Sequence, residues 1–183
     1  WDHVGWNTRL SNGKWVPTFP NARYLIARDE YAYWDDLHRG PARTLHARAF
    51  EDSILPLADA GQLSLVRDDF ELEDGVRLES APGHTPGSIV MHIESGSERG
   101  VFSGDVLHSP LQLLRPEWST KACWDVARSA ETRRTFIERH ADSGTWVLPA
   151  HFPAPSGGRV FSRGGGYGWA NCCPGTCGAS QQT

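Results

Sequence analysis

Five residues that can bind a metal ion lie at predicted strand ends or in tight turns: Asp2, His3, His84, Asp105 and His151. Imidazole and carboxylate groups together suit zinc and related divalent ions. Strand ends hold their side chains firmly and let them converge at one edge of a sheet. The pattern therefore predicts a metal site built from residues that are far apart in the chain.

The histidine at position 84 lies in the most rigid turn of the sequence, Ala81–Ser88. Glycines on both sides of it permit unusual backbone angles, and prolines at 82 and 86 fix φ, so the imidazole has little freedom. Alternating apolar residues predict a strand before the turn, in Gly75–Ser80, and another after it, in Ser88–Ile93. A turn histidine alone is more often structural than a ligand, so its partners elsewhere decide the interpretation.

The other predicted elements alternate between helix and strand. Helices are predicted over Arg28–Leu37, Ala47–Ala60 and Val126–Asp142, and strands over Ala22–Ala27, Leu63–Val66, Gly100–Ser103 and Gly144–Pro149. Pro56 can kink or restart the second helix, and Ser11–Lys14 is interpreted as loop. This mixed order predicts layers of an α/β fold.

Composition narrows the classes of function. The chain has 183 residues, of which 39% are hydrophobic and 22% charged, as in soluble globular domains. A net charge of −4 gives no electrostatic reason to bind nucleic acid or an anionic membrane. No apolar run approaches the length of a membrane span. We expect a cytoplasmic protein.

The C-terminal residues differ in composition from the rest. We expect one domain over residues 1–162, followed by a Gly- and Cys-rich tail over 163–183 that is disordered. A final hairpin from Arg159–Ser162 and Tyr167–Trp169 is the alternative for its start. Three cysteines near the end lack a second ligand cluster for a zinc knuckle. Cys123 is isolated and gives no indication of function.

The order of the ligand residues resembles the metallo-β-lactamase superfamily. Its signature is His-x-His-x-Asp-His, a lone histidine, an aspartate and a final histidine. Asp2-His3 resembles the end of the first motif, and the turn around His84 resembles the lone histidine. Gly104-Asp105 and Ala150-His151 are similar to the last two. The resemblance extends to about Arg159 and implies a metallo-β-lactamase-like αββα sandwich, incomplete at its N-terminus.

The resemblance implies two divalent metal ions, most readily zinc. One is held in the family by the two histidines of His-x-His and by the residue matching His84. The other is held by the residues matching Asp2, His3 and His151, with Asp105 bridging both. The first two histidines would precede Trp1, so we expect the chain to be a fragment. It would have ligands for one nearly complete metal site and low activity.

The implied chemistry is hydrolysis. Two divalent ions about 3.5–4 Å apart lower the pKa of a shared water toward about 7. The resulting hydroxide attacks a carbonyl or phosphoryl centre, and the ions stabilise the negative charge that develops. Asp2 can also pass a proton to the leaving group. The implied substrate is a small ester, lactone or phosphotriester.

The substrate-facing residues are less defined than the ligands. Lactonases of the family usually carry a tyrosine shortly after the bridging aspartate, whereas this chain has His108, as in organophosphate-hydrolysing relatives. His108 is either catalytic or a hydrogen-bonding support for a ligand. Trp6 and Phe152 are predicted to contact substrate, with core packing as the alternative. Arg133-Arg134 is interpreted as a solvated helix face.

Two other interpretations stay open. A non-hydrolytic relative, such as an iron-dependent sulfur dioxygenase or a diiron oxidoreductase, would carry redox-active iron in place of zinc. An inactive fragment would bind metal weakly. The identity of the bound metal distinguishes the first of these from a hydrolase.

Overall fold

The computed structural model describes residues 3–41 and 45–171. Asp2 and the three cysteines of the C-terminal tail, Cys172, Cys173 and Cys177, therefore lie outside the described residues. The chain falls into two compact units that divide between Arg67 and Asp68. Among the described residues, no helix is both long and apolar enough to cross a membrane.

The first unit combines two small sheets with three helices. Its strands are β1 (Thr8–Ser11), β2 (Lys14–Pro17), β3 (Tyr24–Ala27) and β4 (Leu63–Val66), and its helices are α1 (Arg28–Arg39), α2 (Leu45–Ser53) and α3 (Leu55–Asp59). Strands β3 and β4 pair in parallel. The predicted helix over Ala47–Ala60 is divided after Ser53, and Pro56 lies in the first turn of α3. Proline is tolerated there because the first turn leaves its N–H groups unbonded in any case.

A hairpin is built around Ser11–Lys14, which is predicted as loop. Strands β1 and β2 pair antiparallel through a two-residue turn at Asn12 and Gly13, with φ of 50° and 76°. Positive φ at both central residues matches the tight hairpin turn for which Asn-Gly is the strongest sequence signal. The signal for this hairpin was thus present in the sequence.

The second unit is built on one seven-stranded sheet. In spatial order its strands are β11 (Gly166–Asn171), β10 (Gly158–Arg163), β9 (Trp146–Pro149), β8 (Glu98–Gly104), β7 (Ile89–Ser95), β6 (Val76–Ser80) and β5 (Glu71–Glu73). Strands β8 and β9 run parallel, and the other neighbours run antiparallel. The connection from β8 to β9 contains α4 (Leu111–Leu114) and α5 (Val126–His140). The predicted mixed α/β class is confirmed.

Strand directions bring three connections to one edge of this sheet. Ser80 at the end of β6 pairs with Ile89 at the start of β7. The start of β7 lies beside the end of β8, because these strands are antiparallel. The end of β8 lies beside the end of β9, where Gly104 is opposite Pro149. The residues that follow β6, β8 and β9 therefore share one edge.

Helix α5 covers the sheet and closes the core. Phe136 and Ile137 of the helix pack with Val101 of β8 and Val147 of β9, and all four are buried. Burying each such side chain contributes about 1.5–3 kcal/mol. The helix is thereby fixed on the sheet, and its N-terminal turn is available to position loops at the edge.

The start of the predicted disordered tail is ordered. Strand β11 pairs with β10 over its whole length, so the prediction of disorder is wrong for residues 166–171. The physical reason is packing, because Tyr167 and Trp169 lie against the hydrophobic core. The alternative hairpin is the correct interpretation of these residues.

The last turn of α5 buries an imidazole. His140 is 5% exposed, and its ring centroid lies 4.5 Å from that of Phe136. Burial lowers the pKa of His140 to about 4, and its positive neighbours act in the same direction. The titratable and charged groups that affect it are His92, Arg139, Glu79 and Arg99. His140 is therefore neutral in the folded protein near pH 7.

Acid should destabilise the protein through this residue. A histidine has a pKa of about 6.5 when unfolded, so the unfolded chain binds the extra proton first as the pH falls. The contribution of neutral His140 to the free energy of unfolding is fully present above about pH 6.5 and is lost as the pH falls toward about 4. We expect His140→Leu to reduce the loss in the free energy of unfolding between about pH 6.5 and 4 by about 1–3 kcal/mol, as measured by urea unfolding. The matched control is His38→Leu on α1. A wild-type stability that does not change from pH 6.5 to 4.5 would contradict this account.

Candidate metal centre

At the shared sheet edge, one carboxylate lies between two imidazoles. Nε2 of His84 lies 3.1 Å from Oδ2 of Asp105. Nε2 of His151 lies 2.9 Å from the other carboxylate oxygen, Oδ1. The side chain of Asp105 is 13% exposed. Three of the five predicted ligands are thus in direct contact, although they come from three different connections.

His84 is held by the hydrogen bonds of its own turn. The backbone N–H of Ala81 donates to the carbonyl of Ser88 at 2.8 Å, which closes the loop between β6 and β7. The N–H of Thr85 donates to Oγ of Ser88 at 3.1 Å. The turn that the sequence predicts around His84 is therefore confirmed.

The same turn is attached to the start of α5. Gly83 has φ of +133°, and a Cβ there would lie 2.3 Å from the backbone nitrogen of Ser129, so no other residue fits without a shift. The N–H of Trp124 donates to the carbonyl of His84 at 2.8 Å, and that of Asp125 donates to the carbonyl of Gly83 at 3.0 Å. The position of His84 therefore depends on the segment that leads into the helix.

Asp105 and His151 follow two neighbouring parallel strands. Gly104 has φ of +48°, a conformation that favours glycine and turns the chain at the end of β8. The N–H of Ala150 donates to the carbonyl of Gly104 at 3.5 Å, which connects the two strand ends. Parallel pairing thus brings the carboxylate and the imidazole together.

A further imidazole, His108, lies against this group. Its ring is stacked on His151 with centroids 4.8 Å apart, and it lies 4.9 Å from the ring of His84. Its backbone N–H donates to Oε1 of Gln112 at 2.7 Å. Its Nδ1 is buried, with no hydrogen-bond partner among the residues that the structure describes. Burial lowers the pKa of His108 to about 4, so the ring is neutral at pH 7.

The pKa of His84 is raised, whereas that of His108 is lowered. The hydrogen bond to Asp105 raises it, burial opposes the rise, and Cys123 adds to it. A proton and a metal ion therefore compete for Nε2 of His84, because a ligating imidazole must be neutral.

This donor set fits a divalent metal ion. One ligand atom each from His84, Asp105 and His108 lies within 4.8 Å of the others. Neutral imidazole and carboxylate are the ligands that zinc prefers. The unpartnered Nδ1 of His108 is an additional buried lone pair or donor that a bound group can satisfy.

Four predicted site residues remain: Asp2, His3, Trp6 and Phe152. Asp2 lies outside the described residues, and His3 and Trp6 belong to the first unit, where both are exposed. Phe152 is 6% exposed, and its ring lies 4.9 Å from that of Trp169 in the core. Their roles toward metal or substrate stay predictions.

Arg133 is buried, contrary to the prediction of a solvated helix face. It is 0% exposed, whereas Arg134 is exposed as predicted. Its Nε donates to the carbonyl of Val106 at 2.9 Å, and Nη1 donates to the carbonyls of Pro116 and Trp118 at 2.6 and 3.0 Å. The guanidinium thus joins the loop that carries His108 to α5. The helical period contained the signal, because the buried face consists of Ser129, Arg133, Phe136, Ile137 and His140.

Comparison with known proteins agrees with this geometry. The sequence model of the metallo-beta-lactamase superfamily matches residues 1–165. No curated protein matches the chain.

Among solved structures, the hydrolase AbOPH of the beta-lactamase superfamily is 25% identical, with a TM-score of 0.76 over 86% of this chain and 57% of its own. AidC, a dizinc quorum-quenching lactonase in complex with its product N-hexanoyl-L-homoserine, is 24% identical, with a TM-score of 0.69 over the same shares. A probable metal-dependent hydrolase from Staphylococcus aureus is 20% identical, with a TM-score of 0.59 over 78% of this chain and 49% of its own. The chain spans about half the length of these proteins. Its predicted fold class is confirmed.

Replacing the central carboxylate should remove metal binding. We expect Asp105→Asn to lower the zinc affinity of the chain by at least about 100-fold, because it removes the charge that offsets the cation. Zinc affinity is measured by competition with a chelating dye. Asp36→Asn, at an exposed position of α1, is the matched control and should bind zinc like the wild type. Unchanged affinity in Asp105→Asn would show that the ion is held elsewhere.

Proposed function

We propose that this chain, which belongs to the metallo-β-lactamase superfamily, is a metal-dependent hydrolase of small esters, lactones or phosphotriesters. The observation that carries the proposal is the carboxylate of Asp105 between the imidazoles of His84 and His151. This group lies at the edge of the sheet where the connections after β6, β8 and β9 meet.

The metal ligands in this proposal are His84, Asp105 and His151, together with Asp2 and His3 as the family resemblance predicts. Zinc is the proposed ion, and the resemblance implies two ions per site. When bound, such an ion lowers the pKa of water and polarises the oxygen of the substrate. The carboxylate of Asp105 offsets the positive charge, and its low exposure strengthens that interaction.

His108 is proposed to position the substrate. Its ring stays neutral over the working pH range, since burial lowers its pKa to about 4. A neutral imidazole can donate one hydrogen bond to a substrate oxygen without adding positive charge beside the metal ions. Its orientation is fixed by the stack on His151 and by the bond from its backbone to Gln112.

The substrate class is supported by chemistry and by likeness. AidC is a lactonase and AbOPH a hydrolase, which makes a lactone the first substrate to test. Trp6 is proposed to contact substrate, and Asp2 to transfer a proton to the leaving group. The burial of Phe152 supports its alternative role in core packing.

A substrate panel tests the proposed function. We expect the zinc-loaded chain to hydrolyse at least one of three substrates above the rate in buffer: an N-acyl-homoserine lactone, an aryl ester or an aryl phosphotriester. Release of acid or phenol is followed at pH 7.5. The controls are the chelator-treated chain and Asp105→Asn, which should both fall to the buffer rate. Turnover that survives both controls would place the activity outside this site. Stoichiometric zinc without turnover on any substrate would contradict hydrolysis by this chain.

A change at His108 separates substrate positioning from metal binding. We expect His108→Phe to lower kcat by about 10–100-fold, with the bound zinc unchanged, because the ring's hydrogen bond to substrate is lost. His108→Gln keeps a donor and should recover part of the rate. Zinc content is measured by elemental analysis beside the kinetics. A loss of zinc in His108→Phe would instead make His108 a ligand, and unchanged values of both would exclude it from the site.

A further inference from the structure

The side of His84 that faces away from Asp105 contacts a buried thiol. Sγ of Cys123 lies 3.6 Å from Nδ1 of His84, within hydrogen-bonding range for sulfur. The thiol of Cys123 donates in turn to Oγ of Ser129 at 3.5 Å. Both Cys123 and Ser129 are less than 10% exposed, so water does not compete freely for these groups.

The next member of this chain of contacts is a group that can only donate. Nη2 of Arg133 donates to Oγ of Ser129 at 3.0 Å. A guanidinium has five N–H donors and no acceptor, so it can only use a lone pair of the Ser129 hydroxyl. That hydroxyl has a second lone pair, and the thiol of Cys123 donates to it. Arg133 and Cys123 are thus both hydrogen-bond donors, and the hydroxyl oxygen of Ser129 accepts from both.

The direction of the S–H bond of Cys123 determines which ring nitrogen of His84 carries a hydrogen. Because the S–H bond of Cys123 points to Ser129, the sulfur lone pairs face Nδ1 of His84. A sulfur lone pair can only accept, so Nδ1 must carry a hydrogen. Without a metal ion, Nε2 also carries a hydrogen, which it donates to the carboxylate of Asp105. An ion that binds at Nε2 displaces this hydrogen, and the neutral imidazole then keeps its one N–H at Nδ1.

We propose that Cys123, Ser129 and Arg133 form a directed hydrogen-bond chain that holds His84 in the Nδ1–H tautomer and so presents Nε2 to the metal ion. Cys123 is a positioning residue in this arrangement, since it acts through His84 and contacts neither ion nor substrate. The inference rests on the proposed function, because it assigns a ligand role to His84. Arg133 then acts on two residues of the site: it donates to Ser129 of this chain of hydrogen bonds and to the carbonyl of Val106, in the loop that carries His108.

The opposite direction would require the thiol to donate to Nδ1. Ser129 would then have to donate its hydroxyl hydrogen to the sulfur, while Arg133 still occupies one of its lone pairs. That arrangement leaves the proton of His84 on Nε2, where it opposes a metal ion. Metal binding therefore selects the direction that the contacts already show.

Three substitutions test the chain of hydrogen bonds by zinc affinity. We expect Cys123→Ala to lower the affinity by about 10–100-fold, because Nδ1–H loses its acceptor. Cys123→Ser retains an acceptor and should restore the affinity to within about threefold of the wild type. Ser129 is not a proposed ligand and acts on His84 only through Cys123. Ser129→Ala should nevertheless weaken zinc binding, because the thiol hydrogen of Cys123 can then turn toward Nδ1 of His84. Affinity is measured by competition with a chelating dye on the whole chain.

A second measurement reports the tautomer itself. In ¹⁵N NMR spectra of the zinc-loaded wild type, Nδ1 of His84 should carry a hydrogen that exchanges slowly with water, and in Cys123→Ala this hydrogen should exchange faster. Urea unfolding of the metal-free variants checks that they are folded, and Ser129→Ala keeps the test open should Cys123→Ala not fold. Equal zinc affinity in Cys123→Ala and wild type would overturn this inference alone, as would equal losses in Cys123→Ala and Cys123→Ser. A wild-type chain that binds no zinc would overturn the proposed function as well.

Discussion

The contact of Asp105 with His84 and His151 constrains the whole second unit. A carboxylate with 13% exposure costs several kcal/mol unless charged or hydrogen-bonding partners surround it. Those partners come from the β6–β7 turn and from the end of β9, so the order and direction of the strands must bring both to the end of β8. The parallel pairing of β8 and β9, with a helical connection between them, meets this requirement.

A second constraint acts from beneath the site. Arg133 places a guanidinium where it is 0% exposed, and burial lowers its pKa. Carbonyl and hydroxyl oxygens of the surrounding loops accept its hydrogen bonds, which offsets the loss of water. Because those acceptors lie on the loops that carry His108 and Cys123, satisfying the arginine also arranges the site. Stability and ligand geometry thus depend on the same side chain.

The sequence predicted the elements whose local signals are strong. Proline and glycine around His84 determined its turn, and a Gly-Asp after an apolar strand located Asp105. The contact between Cys123 and His84 had no such signal, because it joins residues 39 positions apart through an irregular loop. The burial of Arg133 was missed for another reason. Adjacent arginines in a helix suggest a solvent-exposed face, although only Arg133 lies on the buried face of α5. Long-range polar contacts depend on tertiary packing, which composition and periodicity do not encode.

The claim on which this account rests is that Asp105 and its imidazole neighbours hold a metal ion. Anomalous X-ray diffraction from crystals of the zinc-loaded protein tests it directly. The account predicts a zinc peak within about 2.0–2.2 Å of a carboxylate oxygen of Asp105 and of Nε2 of His84 or His151. A zinc peak remote from Asp105, with the carboxylate still bonded directly to both imidazoles, would contradict it.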